Sequence, residues 1–303
     1  MLTADVERYV HLRQILGFKL RDASRLLRAF AGFAVARGDT HLRESTAVDW
    51  AAEAPSPNAR HIRLRIVTNL ARFLHAEDGV HEIPRSNLFY SPKVRPLPYI
   101  YAPAEIARIV EAAGRLQRAY PLRRQVYATL LGVIAATGLR VSEALDLRLS
   151  DVSSEGVLHV RGTKFGKTRH VPLHATVVQA LGRYLDVRRR LPVTDDHVFV
   201  SASNRRIASS TVNYTFHRVL RLAGITSVRA RAPRIHDLRH TFATRALEQC
   251  STQRDAVARH FVALATYMGH ADIANTYWYL EATPELMRDI AVAGGALVER
   301  EVS

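Results

Sequence analysis

Residues 91–103, SPKVRPLPYIYAP, carry four prolines within thirteen positions. Proline fixes φ, has no amide proton to donate, and drives the residue before it out of the helical region. Neither a helix nor a central strand runs through such a segment. The chain must therefore fold as two pieces, 1–88 and 101–303, joined by a linker at 89–100. Lys93 and Arg95 make that linker basic.

The first piece reads as all helix. ADVERYVHLRQIL and DASRLLRAFAGFAVARG hold apolar residues at helical spacing, and Gly38 suits a C-terminal stop. SPNARHIRLRIVTNLARFLHAEDG opens with Ser56 as N-cap and Pro57 as first helical residue. Arg60, Arg63 and Arg65 form a basic group on that helix, either a solvated face or a phosphate contact.

The second piece mixes element types. PAEIARIVEAAGRL and the nearly all-apolar RRQVYATLLGVIAATG read as helices. GVLHVRG and RHVPL alternate like strands and are joined by TKFGKT, which predicts a hairpin; HVFVS at 197–201 is a further short extended run. Helices are expected near 175–190, 209–223, 237–249 and 253–268. The fold class is mainly α with a small antiparallel sheet.

The charge constrains the partner. Lys and Arg total 43 against 28 Asp and Glu, a net +15. A polyanion fits that excess, because phosphate contacts release counterions. Nucleic acid fits better than a membrane surface, since acids are spread throughout and no basic amphipathic segment occurs. A lone cysteine, Cys250, excludes an intrachain disulfide and fits a reducing compartment. No apolar run approaches the ~18 residues of a membrane span. With no signal-peptide pattern at the N-terminus, a cytoplasmic location is expected.

Four stretches hold residues that can do chemistry. In IAATGLRVSEAL a core helix ends at Gly138, and Arg140 follows, with Glu143 placed to orient it at i, i+3. In RIHDLRHTFAT, His236 and Arg239 share a helix face. HDLRH also resembles the HExxH of zinc hydrolases, with His236 and His240 as ligands. Against zinc, Asp237 is a methylene shorter than the required Glu, and Arg239 sets a fixed charge beside the metal. His240 has a plain alternative as a packing residue. Lys164 and Lys167 sit on a hairpin turn, where lysines are usually just solvated. In GHADIANTYWYL, Tyr277 and Tyr279 point about 200° apart on a helix, so they do not serve one site. Composition does not choose between them.

Together TGLRVSEAL, GTKFGKTRHVPL, HDLRHTFAT and GHADIANTYWYL, in that order, resemble the tyrosine recombinases, or phage-integrase family, over most of residues 101–285. The helical first piece resembles the family's core-binding domain loosely, by helix content, charge and position. The resemblance implies catalytic arginines at Arg140 and Arg239, a hairpin lysine at Lys164, and histidines at His236 and His270. Lys164, Lys167 and Arg169 match the family's Lys-x-x-Lys-x-Arg turn, with Lys167 and Arg169 as DNA contacts. Two registers, nine residues after His270 and Thr276-x-x-Tyr279, select Tyr279 as nucleophile and leave Tyr277 to packing. Tyr267-Met268 departs from the two leucines usual there, and 250–263 lacks the usual small-residue turn. NTYWYLEATPEL is similar to integrases of mobile elements that encode several recombinases together.

What the resemblance implies is a site-specific recombinase acting on double-stranded DNA as a homotetramer, through a 3′-phosphotyrosyl intermediate and a Holliday junction, without metal or cofactor. Two guanidiniums suit a crowded dianionic phosphorus centre, being always charged and bidentate. A type IB topoisomerase shares this chemistry, but the compact size and motif order argue against it. An accessory DNA-binding protein that kept only the fold is opposed by the complete six-residue set. The tail at 282–303 is expected to dock as a helix, on its own protomer or on a neighbour.

Overall fold

The structure is a computed structural model, and it describes residues 2–18, 20–89, 97–117, 122–161, 168–190, 195–225, 232–249 and 254–269. The chain divides into two compact units, residues 1–95 and 96–303, so the division falls inside the proline-rich segment.

The described residues of the first unit form four helices: α1 (Leu2–Ile15), α2 (Arg21–Ala36), α3 (Glu44–Ala52) and α4 (Pro57–Glu77). α2 stops where Gly38 takes the left-handed conformation, φ 80°. α4 starts as its sequence dictates: Pro57 is the first helical residue, and the Ala59 amide donates to Ser56 Oγ at 3.3 Å. Leu27, Phe30, Leu64 and Leu70 are fully buried between the helices, and the Phe30 ring meets Trp50 edge-on at 5.5 Å.

Two of the three arginines on α4 are used within this unit. Arg60 donates to the Ala54 carbonyl at 3.0 Å, and Arg63 to the Trp50 carbonyl at 2.9 Å while lying over the Trp50 ring. Both close the open C-terminal end of α3. Only Arg65 of the three is exposed.

The second unit contains α5 (Pro103–Gly114), α6 (Arg123–Thr137), α7 (Val141–Asp146), β1 (Val157–Val160), β2 (Arg169–Pro172), α8 (Ala175–Arg189), α9 (Ser209–Leu222), α10 (His236–Glu248) and α11 (Arg254–Met268). The fold is mostly helical with one small antiparallel sheet. β1 and β2 pair as a hairpin in the register Leu158 to Val171 and Val160 to Arg169. α6 lies in the core, with Val126, Leu130, Leu131 and Ile134 buried.

The extended run at 197–201 carries two isolated antiparallel bridges, His197 to Arg148 and Val200 to Arg206, and the Val198 amide donates to the Leu147 carbonyl at 2.8 Å. One expectation needs correction. The expected linker ends earlier than residue 100. Tyr99 packs on Tyr101 at 4.8 Å between ring centroids and donates to Glu105 at 2.6 Å. Tyr101 is fully buried. Its amide donates to Thr241 Oγ1 at 3.0 Å, its hydroxyl to the Arg234 carbonyl at 3.1 Å, and its carbonyl accepts from Arg245 at 2.7 Å. Tyr101 is thus held on α10 and on Arg234 just before it, and Tyr99, seated on Tyr101 and Glu105, belongs with it to the second unit.

Candidate active site

The site is assembled where α6 ends. Gly138 leaves the helix at φ 62°, in the left-handed region. A Cβ there would lie 2.5 Å from Phe242 Cδ1 and 3.0 Å from Met268 Sδ, so only glycine lets α6, α10 and α11 meet this closely. Arg140, two residues on, is extended and caps α7. Glu143 accepts from the Arg140 amide at 3.0 Å and from Arg140 Nη1 at 2.6 Å. The i, i+3 spacing read from the sequence therefore does orient this guanidinium.

A second arginine reaches the same carboxylate. Arg169 donates through Nη1 and Nη2 to the two Glu143 oxygens at 3.1 and 2.8 Å. Expected among the DNA contacts, Arg169 is instead turned inward, with its side chain 10% exposed. The pleat explains this. Arg169 stands opposite buried Val160 and two residues from buried Val171, so all three share the inner face. Burial pushes the Glu143 carboxyl up, but Arg169 and then Arg140 outweigh it, holding the group down at about 2.

Arg239 lies deeper, 2% exposed, on α10. It donates to the Gly138 carbonyl at 2.5 Å and to the Met268 carbonyl at 2.8 Å, joining the ends of α6 and α11. The end of α11 is held by all three arginines: the Tyr267 carbonyl accepts from Arg169 Nε at 2.8 Å, Met268 from Arg239, and Gly269 from Arg140 Nη2 at 3.2 Å. Carbonyls at a helix C-terminus carry its partial negative charge, which suits cations.

His236 opens α10, partly buried. Its pKa is lowered to about 4 by burial and by the charges of Arg239 and Arg140, against a weaker opposite pull from Glu143. At neutral pH the imidazole is uncharged and able to accept a proton or a hydrogen bond. His240 packs edge-on against it at 4.7 Å. Asp237 does not have the posture of a zinc-hydrolase base: its carboxylate accepts from the Arg234 amide at 2.8 Å and from Arg234 Nη2 at 3.2 Å, capping the helix start.

Lys164, Lys167, His270, Tyr277, Tyr279, Lys93, Arg95 and the tail at 282–303 lie outside the described residues. Among the described ones, the site brings together Arg140, Glu143, Arg169, His236 and Arg239: two guanidiniums on one carboxylate, a third on the Gly138 and Met268 carbonyls, and an uncharged imidazole. That excess of cation suits a phosphate.

The phage integrase family model matches residues 99–285, which include every one of these side chains. The chain belongs to the phage integrase family. A relative from Sinorhizobium fredii, y4rB, whose name places it among integrases or recombinases, is 36% identical over 295 residues, covering 94% of each chain. Tyrosine recombinase XerD of Brucella abortus is 29% identical over 272 residues, 86% of this chain and 84% of its own. Among solved structures, a lambda integrase tetramer bound to a Holliday junction matches the fold with TM-score 0.66 at 17% identity, over 92% of this chain and 76% of that one.

Membership in the phage integrase family makes the protein a tyrosine recombinase, an enzyme that breaks and rejoins DNA strands. The departure at Tyr267-Met268 is absorbed by packing. Met268 is fully buried, and Tyr267 stacks on Phe242 at 5.6 Å. No described helix is long and apolar enough to cross a membrane.

Proposed function

We propose that the protein is a site-specific recombinase of a mobile element, cutting and resealing duplex DNA through a 3′-phosphotyrosyl intermediate. The observation that carries this reading is the convergence of Arg140, Arg239 and His236 at the end of α6 on the family's motifs, with His236 held neutral by burial and then by the surrounding positive charge. In this reading Arg140 and Arg239 stabilise the charge that grows on the phosphate oxygens. The Tyr279 oxygen attacks the scissile phosphorus, His236 accepts its proton, and His270 donates a hydrogen bond to the phosphate. The bond to the 5′-oxygen breaks as Lys164 gives that oxygen a proton. A 5′-hydroxyl from the partner strand then attacks the phosphotyrosine, giving its proton to Lys164, and the Tyr279 oxygen leaves as a phenol with the proton that His236 returns.

Residues 1–88 are proposed to clamp the DNA opposite the catalytic unit, with Arg65, Lys93, Arg95 and Lys167 on the backbone. Four copies would pair two sites and exchange strands through a Holliday junction at the nucleoid. The homology to y4rB and XerD supports the recombinase class.

A nicked suicide substrate tests the assignment. Wild-type protein and Tyr277→Phe should form a covalent protein–DNA adduct, while Tyr279→Phe binds DNA and forms none. An adduct with Tyr279→Phe would sink the nucleophile assignment.

A further inference from the structure

We propose that Arg169 is a positioning residue of the recombination site: it holds the end of α11 and the Glu143 carboxylate in place while Arg140 transfers its outer nitrogen from the Gly269 carbonyl to the substrate phosphate. The proposal rests on the recombinase reading above, and it concerns a side chain that touches no substrate.

Three geometric facts lead to it. Arg140 is the most open of the three arginines, 29% exposed, and its Nη2 rests on the Gly269 carbonyl at 3.2 Å. That is the longest of the three arginine bonds to the end of α11, and a phosphate oxygen is a stronger acceptor than an amide carbonyl. When Arg140 turns to phosphate, Gly269 loses its donor. Arg169 then still holds the Tyr267 carbonyl at 2.8 Å, and its other two nitrogens still grip Glu143, which keeps Arg140 Nη1 at 2.6 Å. One planar guanidinium therefore fixes both the helix end that leads to His270 and the carboxylate that aims Arg140. A lysine has one ammonium and reaches only one of these acceptors at a time.

Gly269 fits this arrangement. Its φ is 65°, and a Cβ there would lie 2.8 Å from Arg169 Nη1. The backbone passes directly against the guanidinium with no room for a side chain.

Arg169→Gln, Glu143→Gln and the double variant test the proposal through three readouts: single-turnover cleavage of a nicked duplex at saturating protein, the DNA dissociation constant with its salt slope, and amide hydrogen exchange of the DNA-free protein. Each single variant should cleave about 10²-fold more slowly, the scale expected for a small misplacement of a reacting group. The double variant should be no slower than the worse single, because both residues act on one element. The dissociation constant and salt slope should stay at the wild-type value. Exchange in residues 265–269 should rise about tenfold or more in Arg169→Gln, with α6 unaffected. Where Arg169→Gln does not fold, Arg169→Lys is read the same way, with a smaller loss.

A weakened dissociation constant and shallower salt slope with cleavage intact at saturation would make Arg169 a phosphate contact and overturn the proposal. Additive losses, or unchanged exchange at 265–269, would overturn it as well. Failure of the wild-type protein to cleave rejects the recombinase reading alone, since exchange still decides whether Arg169 holds α11.

Discussion

His236 and Glu143 both sit below their ordinary values, and both make stability rise with pH, in different windows. The unfolded histidine takes a proton below its ordinary 6.5, whereas the folded one waits until about 4. Stability is therefore whole above 6.5 and is lost as pH falls toward 4, by about 3 kcal/mol at most and less after allowing for its partial exposure. Glu143, with an ordinary value of 4.5 and a folded value near 2, adds its own loss only below 4.5. Urea unfolding of wild type and His236→Gln at pH 7.5 and 4.5 should show the variant losing less on acidification; equal losses would contradict the assignment. The pairing of Arg140 with Glu143 was legible in the sequence because i, i+3 geometry is local. The inward turn of Arg169 was legible too, in the alternation of Arg169, Val171 and Leu173, but a basic turn motif drew it toward DNA. The three backbone carbonyls at the end of α11 left no trace in the sequence, since any residue type supplies a carbonyl.

At the scale of elements, Gly138 carries the greatest strain if changed. Gly138→Ala would place a side chain at positive φ and 2.5 Å from Phe242. The backbone penalty and the overpacking together should cost about 3 kcal/mol. Melting should show that loss, and cleavage should fall further than stability alone explains, because the Gly138 carbonyl also seats Arg239. A melting temperature equal to wild type would refute the argument. The helices expected near 175–190, 209–223, 237–249 and 253–268 lie within about a residue of the observed bounds of α8, α9, α10 and α11. Periodicity also found the hairpin. It did not show where the linker ends, because the partners that seat Tyr101 beside it are distant in sequence. The partner of the Tyr101 amide, Thr241, is 140 residues away.

For the whole molecule, the +15 charge is unevenly available. In the first unit Arg8 pairs with Asp5 and Glu77, Arg28 with Glu7, and Arg37 with Asp49. These exposed pairs add little stability, but they remove those cations from the count facing DNA. DNA affinity should still fall by about 10³-fold or more between about 50 and 200 mM salt, as for a protein making some 6–10 phosphate contacts. Deleting residues 1–88 should make that slope shallower; an unchanged slope would refute the clamp. The seat of Tyr101 on α10 has a mechanical consequence. The covalent path from the first unit enters the second through a residue moored by three hydrogen bonds to the segment bearing His236 and Arg239. A pull that reaches Tyr101 is therefore delivered to α10. Extra residues inserted before Leu97 lengthen the tether and leave that mooring untouched, whereas the same insertion between Tyr101 and Pro103 slides the anchor off its helix.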